Sequence, residues 1–334
     1  MADETEHKRT APRNRTITVS DIEKAQYLAR LLQVHSSVTL PTVLNRTIHQ
    51  NVFTVLDHLP AQFADLIIAD PPYNLTKNFN GQTFTSGSNE EYMVWLDTWL
   101  GKLPRLLKPT GTIYICGDWR SCSAIYQVAQ KYFLVRNRIT WEREKGRGAV
   151  ANWKNASEDI WFCTMSEQYT FNSESVKLKR RVLAPYTTAE DEPKDWEETD
   201  EGRFRLTFPS NLWTDVTVPF WSMAENTNHP TQKPEKLIAK LVLASSNVGN
   251  LIFDPFLGSG TTAVVAKKLK RNFVGVELDQ YYCCLAEKRL ELANVDQSIQ
   301  GYIDDCFWER NTLADQKRIE NRKKTMPGTQ PSLF

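Results

Sequence analysis

Apolar and polar residues follow two different periods along the chain, and these predict strands and helices in turn. Short apolar runs predict strands at 47–52, 65–69, 112–116, 133–141, 158–164, 251–253 and 273–276. Apolar residues spaced three or four apart predict helices at 21–33, 53–59, 90–107, 119–132, 234–246, 262–270 and 280–294. Strands that alternate with helices build a mostly parallel sheet with helices on both faces. The pattern therefore predicts an α/β fold.

The regular pattern is interrupted between residues 165 and 228. This stretch has no clear period, and it carries a basic run at 177–181, an acidic run at 190–201 and scattered aromatic residues. It is either a small irregular domain or an elaborate insertion. The remaining divisions are a disordered tail at 1–15, a helical extension at 16–46, regular parts at 47–164 and 229–294, and a C-terminal extension with a flexible tail at 295–334.

Composition narrows the class of protein. The 334 residues are 41% hydrophobic and 24% charged, which is typical of a soluble globular protein. No apolar run approaches the length of a membrane span, and the polar first residues do not resemble a signal peptide. The cysteines show no metal-ligand spacing, so we expect no metal site and reduced thiols in a cytoplasmic protein. The net charge of +1 permits nucleic-acid binding only if cations are concentrated on one face.

The tetrapeptide Asp70-Pro71-Pro72-Tyr73 directly follows the apolar run at 65–69. The prolines restrict the backbone and remove two amide donors, so the turn concentrates acceptors: a carboxylate and bare carbonyl groups. An aromatic ring lies beside them. Such a turn suits a planar group with an amino donor, for example a nucleobase. A proline-rich turn with a solvent-facing Asp70 is the plain structural alternative.

A second motif, Phe256-x-Gly258-x-Gly260, lies between a strand and a helix. Glycines at this place permit a tight turn and a close approach of the backbone to a ligand. Glu277 ends the next strand, where a carboxylate can accept from both hydroxyls of a ribose. These features indicate a nucleoside-cofactor site, although an ordinary tight turn would have the same glycines. No Gly-Lys-Ser/Thr follows, which excludes a P-loop.

Together the two motifs resemble the S-adenosylmethionine-dependent DNA amino-methyltransferases. The tetrapeptide comes first, the variable region follows, and the cofactor turn comes late, which is the order of the β group. The segment 229–234, His-Pro-Thr-Gln-Lys-Pro, matches a family segment that flanks the cofactor. The resemblance covers about residues 47–294 and implies a Rossmann-like sheet with circularly permuted motif order. It makes 47–164 the catalytic half, 165–228 the inserted target-recognition region and 229–294 the cofactor-binding half.

The resemblance also implies a reaction. The Asp70 carboxylate and the Pro71 carbonyl would each accept one hydrogen of the target amine, Pro72 would stiffen the turn, and Tyr73 would stack on a base flipped out of duplex DNA. The plain alternative for Tyr73 is an aromatic core residue. Holding both amino hydrogens directs the nitrogen lone pair at the methyl group of S-adenosylmethionine, so that positioning provides most of the catalysis. Acidic Asp70 favours adenine N6 as the target.

The cofactor residues implied by the resemblance come from several segments. At the turn and the ribose they are Asp254, Phe256, Gly258, Gly260 and Glu277. Thr231, Gln232 and Lys233 are expected at the methionine end of the cofactor. Asn51 stands where the family usually has an Asp that binds the cofactor adenine, and its amide oxygen can still accept from an amino group.

DNA binding is expected from a basic strip in the catalytic half. It comprises Arg136, Arg138, Arg143, Lys145 and Arg147. Cations on one face would supply phosphate contacts despite the low net charge of +1, although a solvated charged face is the alternative. A homodimer is common among relatives. The last residues, with Gln330, Leu333 and Phe334, resemble a short peptide that docks on the bacterial sliding clamp, or they form a frayed terminus.

Three other functions remain open at this point. Cytosine N4 presents an amine similar to adenine N6, although that group more often begins the tetrapeptide with Ser. Methyltransferases of RNA or of protein amides more often have Asn there. A DNA-binding module without catalysis would keep the fold, but the intact Asp70, Tyr73 and turn glycines argue against it. The family places such enzymes on chromosomal or phage DNA in bacteria or archaea.

Overall fold

A computed structural model describes residues 12–143, 149–182, 186–189, 193–199, 202–312 and 316 of the chain. Several predicted features lie outside these residues: residues 1–11 of the tail, Lys145 and Arg147 of the basic strip, and the C-terminal Gln330, Leu333 and Phe334. Residues 12–15 are described, and the Arg15 amide donates to the Trp221 carbonyl (2.7 Å). In the described part of the chain, no helix is long and apolar enough to cross a membrane.

The central sheet has eight strands in the order β1-β13-β12-β2-β5-β7-β6-β11. Their bounds are β1 Arg46–His49, β2 Ala64–Ala69, β5 Leu107–Gly117, β6 Leu134–Glu142, β7 Ser157–Thr164, β11 Leu212–Trp213, β12 Leu251–Asp254 and β13 Asn272–Glu277. Strands β1, β13, β12, β2 and β5 are all parallel, whereas β7 runs antiparallel to both β5 and β6. This confirms the predicted mostly parallel sheet.

Helices cover both faces of this sheet. Their bounds are α1 Asp21–Leu28, α2 Leu40–Val43, α3 Val52–Val55, α4 Asn89–Leu100, α5 Leu103–Leu106, α6 Cys122–Ala129, α7 Glu235–Ser245, α8 Thr261–Lys268 and α9 Gln280–Leu292. The period-two alternation of β2 shows why two layers are needed. Leu66 and Ile68 pack into the core on one face, while Ile67 and Ala69 pack into the core on the other. All four side chains are buried, so the strand requires an apolar layer on each side.

A second sheet occupies the region for which the sequence predicts no regular structure. It has the order β14-β15-β8-β10-β9, with β8 Leu178–Arg181, β9 Glu197–Thr199, β10 Gly202–Thr207, β14 Tyr302–Ile303 and β15 Cys306–Trp308. Two of its strands therefore come from the C-terminal extension. Strand β15 pairs in parallel with β8, and the Lys236 ammonium of α7 donates to the Trp308 carbonyl. Part of the C-terminal segment is thus built into one sheet with residues of the 165–228 stretch rather than appended to it.

Other differences from the predicted elements have local causes. The helix expected over 90–107 divides into α4 and α5, and Pro104 lies at the start of α5, because proline cannot donate the backbone hydrogen bond of a helix interior. The expected loop at 74–89 contains a hairpin of β3 Lys77–Phe79 and β4 Gln82–Phe84. Asn80 and Gly81 form its turn with positive φ values (49° and 92°). This hairpin lies over the edge of the sheet described next.

Candidate active site

The carboxyl ends of the parallel strands meet at one edge of the sheet, where a cavity of about 380 Å³ opens. Asn51 follows β1, Asp70 follows β2, Asp254 ends β12 and Glu277 ends β13. All four line the cavity. Since β12 and β2 are hydrogen-bonded neighbours, the two sequence motifs lie side by side although about 180 residues separate them. The carboxyl edge of an open α/β sheet is the usual place for a ligand.

Asp70 is held by a buried lysine. Lys233 Nζ donates to both oxygens of the Asp70 carboxylate (2.8 Å to Oδ1 and 2.7 Å to Oδ2) and to the Tyr73 hydroxyl oxygen (3.0 Å). The Tyr73 hydroxyl donates to Asp70 Oδ1 (2.9 Å). The Lys233 side chain is 7% exposed and that of Asp70 is 21% exposed. The two groups therefore form a charge-assisted pair that fixes the carboxylate in orientation.

Glu158 is a second carboxylate of the site that the sequence analysis missed. Its side chain is 6% exposed; Oε2 lies 3.1 Å from the Tyr73 hydroxyl and 3.3 Å from Lys233 Nζ, and Oε1 lies 3.0 Å from Arg143 Nη1. Glu158 is near the start of β7. Because β7 runs antiparallel to its neighbour β5, its first residues lie at the edge where the parallel strands end. No spacing in the sequence indicates this proximity.

The electrostatic environment keeps the cation and the phenol of this cluster protonated. Burial lowers the pKa of Lys233, but the Asp70 and Glu158 carboxylates raise that pKa more, so it lies above its usual value. Burial and the same two carboxylates raise the pKa of Tyr73 well above its usual range. Burial also raises the pKa of Asp70, and Lys233 opposes this effect.

Hydrogen bonds to neighbouring elements hold the tetrapeptide turn in place. The Pro72 carbonyl accepts from the Tyr92 hydroxyl (2.9 Å), and the Asn74 amide donates to Ser121 Oγ (3.0 Å). Pro71 lines the cavity beside Asp70. The turn is therefore fixed by Tyr92 of α4 and by Ser121, the residue before α6.

Glu277 organises the glycine turn on the other side of the cavity. Its carboxylate accepts from the Gly258 amide (2.8 Å) and from the Asp279 amide (2.7 Å), and burial raises its pKa to about 7. Gly258 has φ +54°, and a Cβ there would lie 3.0 Å from His229 Nε2. The close approach of the two segments explains why this position is a glycine.

Asp254 and Gly260 stabilise the glycine turn in different ways. The Asp254 carboxylate accepts from the Phe256 amide (2.9 Å), and burial raises its pKa to about 7. Gly260 has φ +84°, and a Cβ there would lie 2.6 Å from the Cβ of Ala286. Gly260 therefore permits α8 to pack on α9, and it is not among the residues that line the cavity.

An aromatic wall closes the cavity between the two motifs. Phe256 packs edge-to-face on Trp99 (4.8 Å between ring centroids), and Phe53, Phe84 and Trp95 extend the wall. Such a surface suits a flat apolar face such as that of a purine.

The residues of 231–233 do not share one role. All three line the cavity, but the Gln232 side chain accepts from the Thr227 amide (2.9 Å) and donates to the Glu225 carbonyl (2.7 Å). Lys233 binds Asp70, as described above. Burial lowers the pKa of the adjacent His229 to about 3, and its neutral Nδ1 accepts from the Thr231 amide (3.3 Å). The segment thus joins the two motifs structurally.

The basic strip is not a single surface in the structure. Arg143 lines the cavity and pairs with Glu158, and Arg138 lies 3.6 Å from Asp159. Arg136 is near the start of β6, at the opposite edge of the sheet, where it pairs with Glu167 (2.8 Å). Among the described members of the strip, Arg143 alone reaches the cavity. In the part of the chain that the structure describes, no group of three or more His, Cys, Asp or Glu side chains could hold a metal ion.

A sheet of this topology, with a carboxylate-bearing turn beside a glycine turn at its carboxyl edge, defines a Rossmann-like methyltransferase. The family model for DNA methylases that act on N6 or N4 amines matches residues 64–288. The chain therefore belongs to this family, and it is an S-adenosylmethionine-dependent DNA methyltransferase whose target is an exocyclic amine.

Curated relatives agree with the family. The chain is 32% identical over 254 residues to the DNA adenine methyltransferase YhdJ of Escherichia coli K12, covering 74% of this chain and 83% of the relative. It is 33% identical over 276 residues to the Type II methyltransferase M.HpaI of Haemophilus parainfluenzae, covering 81% of each. The solved PvuII DNA methyltransferase, which is cytosine-N4-specific, has the same fold (TM-score 0.53, 16% identity, 78% of this chain and 94% of that chain).

Proposed function

We propose that the protein transfers a methyl group to adenine N6 in double-stranded DNA at a specific sequence. The observation that carries this proposal is the carboxylate of Asp70 at the first position of the tetrapeptide, held toward the cavity by Lys233. A relative at 32% identity that is named a DNA adenine methyltransferase supports it. Cytosine N4 is the alternative target, because its amine has the same two hydrogens.

The tetrapeptide supplies the acceptors for the target amine. Asp70 takes one amino hydrogen and the Pro71 carbonyl takes the other, so the nitrogen is held in one orientation. Lys233 stabilises the charge of Asp70 and fixes its plane. The Lys233 ammonium holds Tyr73 by its hydroxyl oxygen (3.0 Å), and a face of the ring can stack on the flipped base. Positioning of the reacting atoms is the main contribution to the rate.

The cavity residues fit S-adenosylmethionine, which when bound supplies the methyl group as an activated sulfonium. Glu277 offers a carboxylate for the ribose hydroxyls, Phe256 and Phe53 offer a flat apolar wall, and Asn51 offers an amide oxygen at the end of β1. The side chain of Asn51 also caps α3 by accepting from the Phe53 amide (3.0 Å). The volume of about 380 Å³ lies in the usual range for small-molecule sites.

Cofactor affinity is expected to fall as the pH drops through about 7. Burial raises the pKa of Glu277 to about 7, and only the ionised carboxylate can accept from both ribose hydroxyls. Since binding would select the ionised form, the dissociation constant for S-adenosylhomocysteine should rise about tenfold from pH 8 to pH 6. Isothermal titration calorimetry at several pH values measures this directly.

The control for this experiment separates Glu277 from its neighbour Asp254, whose pKa also lies at about 7. In Glu277→Gln the affinity should be weaker at pH 8 and nearly independent of pH. A Glu277→Gln variant that keeps the full pH dependence would assign the titration to Asp254 and contradict the proposed ribose contact.

DNA is proposed to approach the open side of the cavity near Arg143. The β6–β7 connection leaves this rim, and its Trp153 is 96% exposed two residues before Asn155, which lines the cavity. An exposed indole beside a site for a flipped base suits contact with stacked bases. The second sheet, β14-β15-β8-β10-β9, is the candidate for reading the sequence.

The base is identified by analysis of the product. The protein is incubated with mixed-sequence duplex DNA and labelled S-adenosylmethionine, and the nucleosides are separated by mass spectrometry after digestion. We expect N6-methyladenine. N4-methylcytosine alone would contradict the adenine assignment, and DNA binding without any methylated nucleoside would favour a non-catalytic module.

A further inference from the structure

The Tyr73 hydroxyl lies between two carboxylates at nearly equal distances. It is 2.9 Å from Asp70 Oδ1 and 3.1 Å from Glu158 Oε2. A phenol has a single proton, so Tyr73 can donate to only one of them at a time. Lys233 Nζ donates to the hydroxyl oxygen from a third direction (3.0 Å), which leaves the proton directed at the carboxylates. Tyr73 therefore has two alternative hydrogen-bond partners without any movement of its ring.

The choice of partner affects Asp70, because a carboxylate oxygen has about two acceptor positions. Oδ1 of Asp70 accepts from Lys233 and from Tyr73, and Oδ2 accepts from Lys233. Oδ1 therefore has no acceptor position left while Tyr73 donates to it, and an amine that binds at Oδ1 competes with Tyr73. If the Tyr73 proton turned away, Oδ1 would gain a free acceptor position.

Glu158 is placed to receive that proton. Arg143 holds its Oε1 (3.0 Å) and leaves Oε2 facing Tyr73 and Lys233. Lys77 on the β3–β4 hairpin and the carboxyl groups of Asp118 and Asp254 also line the cavity. The roles of Asp70, Pro71 and Tyr73 in holding the amine do not require a second carboxylate.

We propose that Glu158 is the alternative acceptor for the Tyr73 hydroxyl and thereby releases Asp70 for the target amine. When the base enters, the Tyr73 proton turns from Asp70 Oδ1 to Glu158 Oε2, and the amine hydrogen takes the vacated position on Asp70. No covalent bond is made or broken in this exchange. Glu158 acts through Tyr73 and is a positioning residue. The inference rests on the proposed role of Asp70 and holds for adenine N6 and cytosine N4 alike.

A double-mutant cycle tests the exchange. Glu158→Met keeps the volume but removes the acceptor, so Tyr73 stays on Asp70 and the single-turnover rate should fall about tenfold. Glu158→Gln keeps an amide oxygen as acceptor and should stay within about threefold of the wild type. Tyr73→Phe removes the competing hydroxyl, so adding Glu158→Met to Tyr73→Phe should cost no further rate. Affinities for S-adenosylhomocysteine and duplex DNA should remain within about twofold, since the exchange affects only the amine.

Two outcomes would overturn the inference. An undiminished effect of Glu158→Met in the Tyr73→Phe background would show that Glu158 acts independently of Tyr73. If the rate fell as much in Glu158→Gln as in Glu158→Met, the negative charge of Glu158 would be what matters, and not its capacity to accept a hydrogen bond.

A measurement without turnover gives a second, independent readout. The C–O stretch of ring-labelled Tyr73, isolated by difference infrared spectra against Tyr73→Phe, reports its hydrogen-bond partner. In complexes with S-adenosylhomocysteine, the band should shift when duplex DNA containing the target is added, and the shift should be absent in Glu158→Met. A band that does not move in the wild type would contradict the exchange. An error in the proposed role of Asp70 would be recognised separately, because Asp70→Ala would then retain methyl transfer.

Discussion

Asp70→Ala is expected to reduce methyl transfer by about 1,000-fold, or about 4 kcal/mol of transition-state stabilisation. The substitution removes the acceptor for one amino hydrogen, and the lone pair of the amine is then no longer directed at the methyl group. Lys233 retains Glu158 as a partner (3.3 Å), so the fold should survive. Single-turnover kinetics with labelled cofactor measures the loss, and calorimetry should find cofactor affinity nearly unchanged.

The matched control is Asp65, which lies on β2, the strand that precedes Asp70. Asp65 of β2 pairs with Lys108 (2.8 Å) and accepts from the Leu251 amide, at the other end of the strand from the cavity. Asp65→Ala should cost some stability while the rate of the folded enzyme stays within about twofold, since Asp65 and its partners Lys108 and Leu251 are not among the residues that line the cavity. If Asp70→Ala kept a methyl-transfer rate within tenfold of the wild type, the proposed role of Asp70 as the acceptor for the target amine would be wrong.

Lys233→Met is expected to have the second large effect, on stability as well as on rate. It leaves Asp70 without its counter-ion and Glu158 with Arg143 alone. Removing one partner of a buried ion pair typically costs about 3–5 kcal/mol, which thermal unfolding would show as a marked drop in the melting temperature. The rate should fall too, because the Tyr73 hydroxyl then holds only one oxygen of Asp70 and the plane of the carboxylate is no longer fixed from both.

The loss of stability in Lys233→Met should depend on pH, and the direction of the dependence follows from the pKa of Asp70. Burial raises the pKa of Asp70, and the raised value should increase further without Lys233. A carboxyl group whose pKa is higher in the folded than in the unfolded state destabilises the folded state when it is ionised. This destabilisation disappears as the pH falls from above the folded-state pKa to the unfolded-state pKa. The stability difference between Lys233→Met and wild type should therefore shrink as the pH is lowered from neutral.

Lys240→Met is the control for Lys233→Met. Lys240 also lies on the segment after residue 229, is 4% exposed, and pairs with buried Asp215 (2.7 Å) away from the cavity. Its loss should lower stability, yet the folded enzyme should retain its rate. Equal loss of rate in both variants at matched folded fractions would mean that the effect of Lys233 is structural only.

Local patterns were sufficient for the strands of the central sheet whose ends carry the two motifs. The apolar run before Asp70 and the glycine turn after β12 each predict a strand that ends in a functional group, because burial on both faces imposes continuous apolar sequence. The second sheet was not predictable in this way. Its strands β14 and β15 are two and three residues long, and β15 joins the sheet by pairing with β8, more than 100 positions earlier.

The sequence by itself determined the class of the protein, the two motifs and the parallel sheet that brings them to one edge, because these depend on residue type and on the rule that parallel strands end together. Only the tertiary structure decided the neighbours of Asp70. Lys233 reaches it from the segment before α7, and Glu158 reaches it because β7 runs in the opposite direction to β5. Strand direction and side-chain pairing across long separations have no local signal, so the second carboxylate emerged only from the fold.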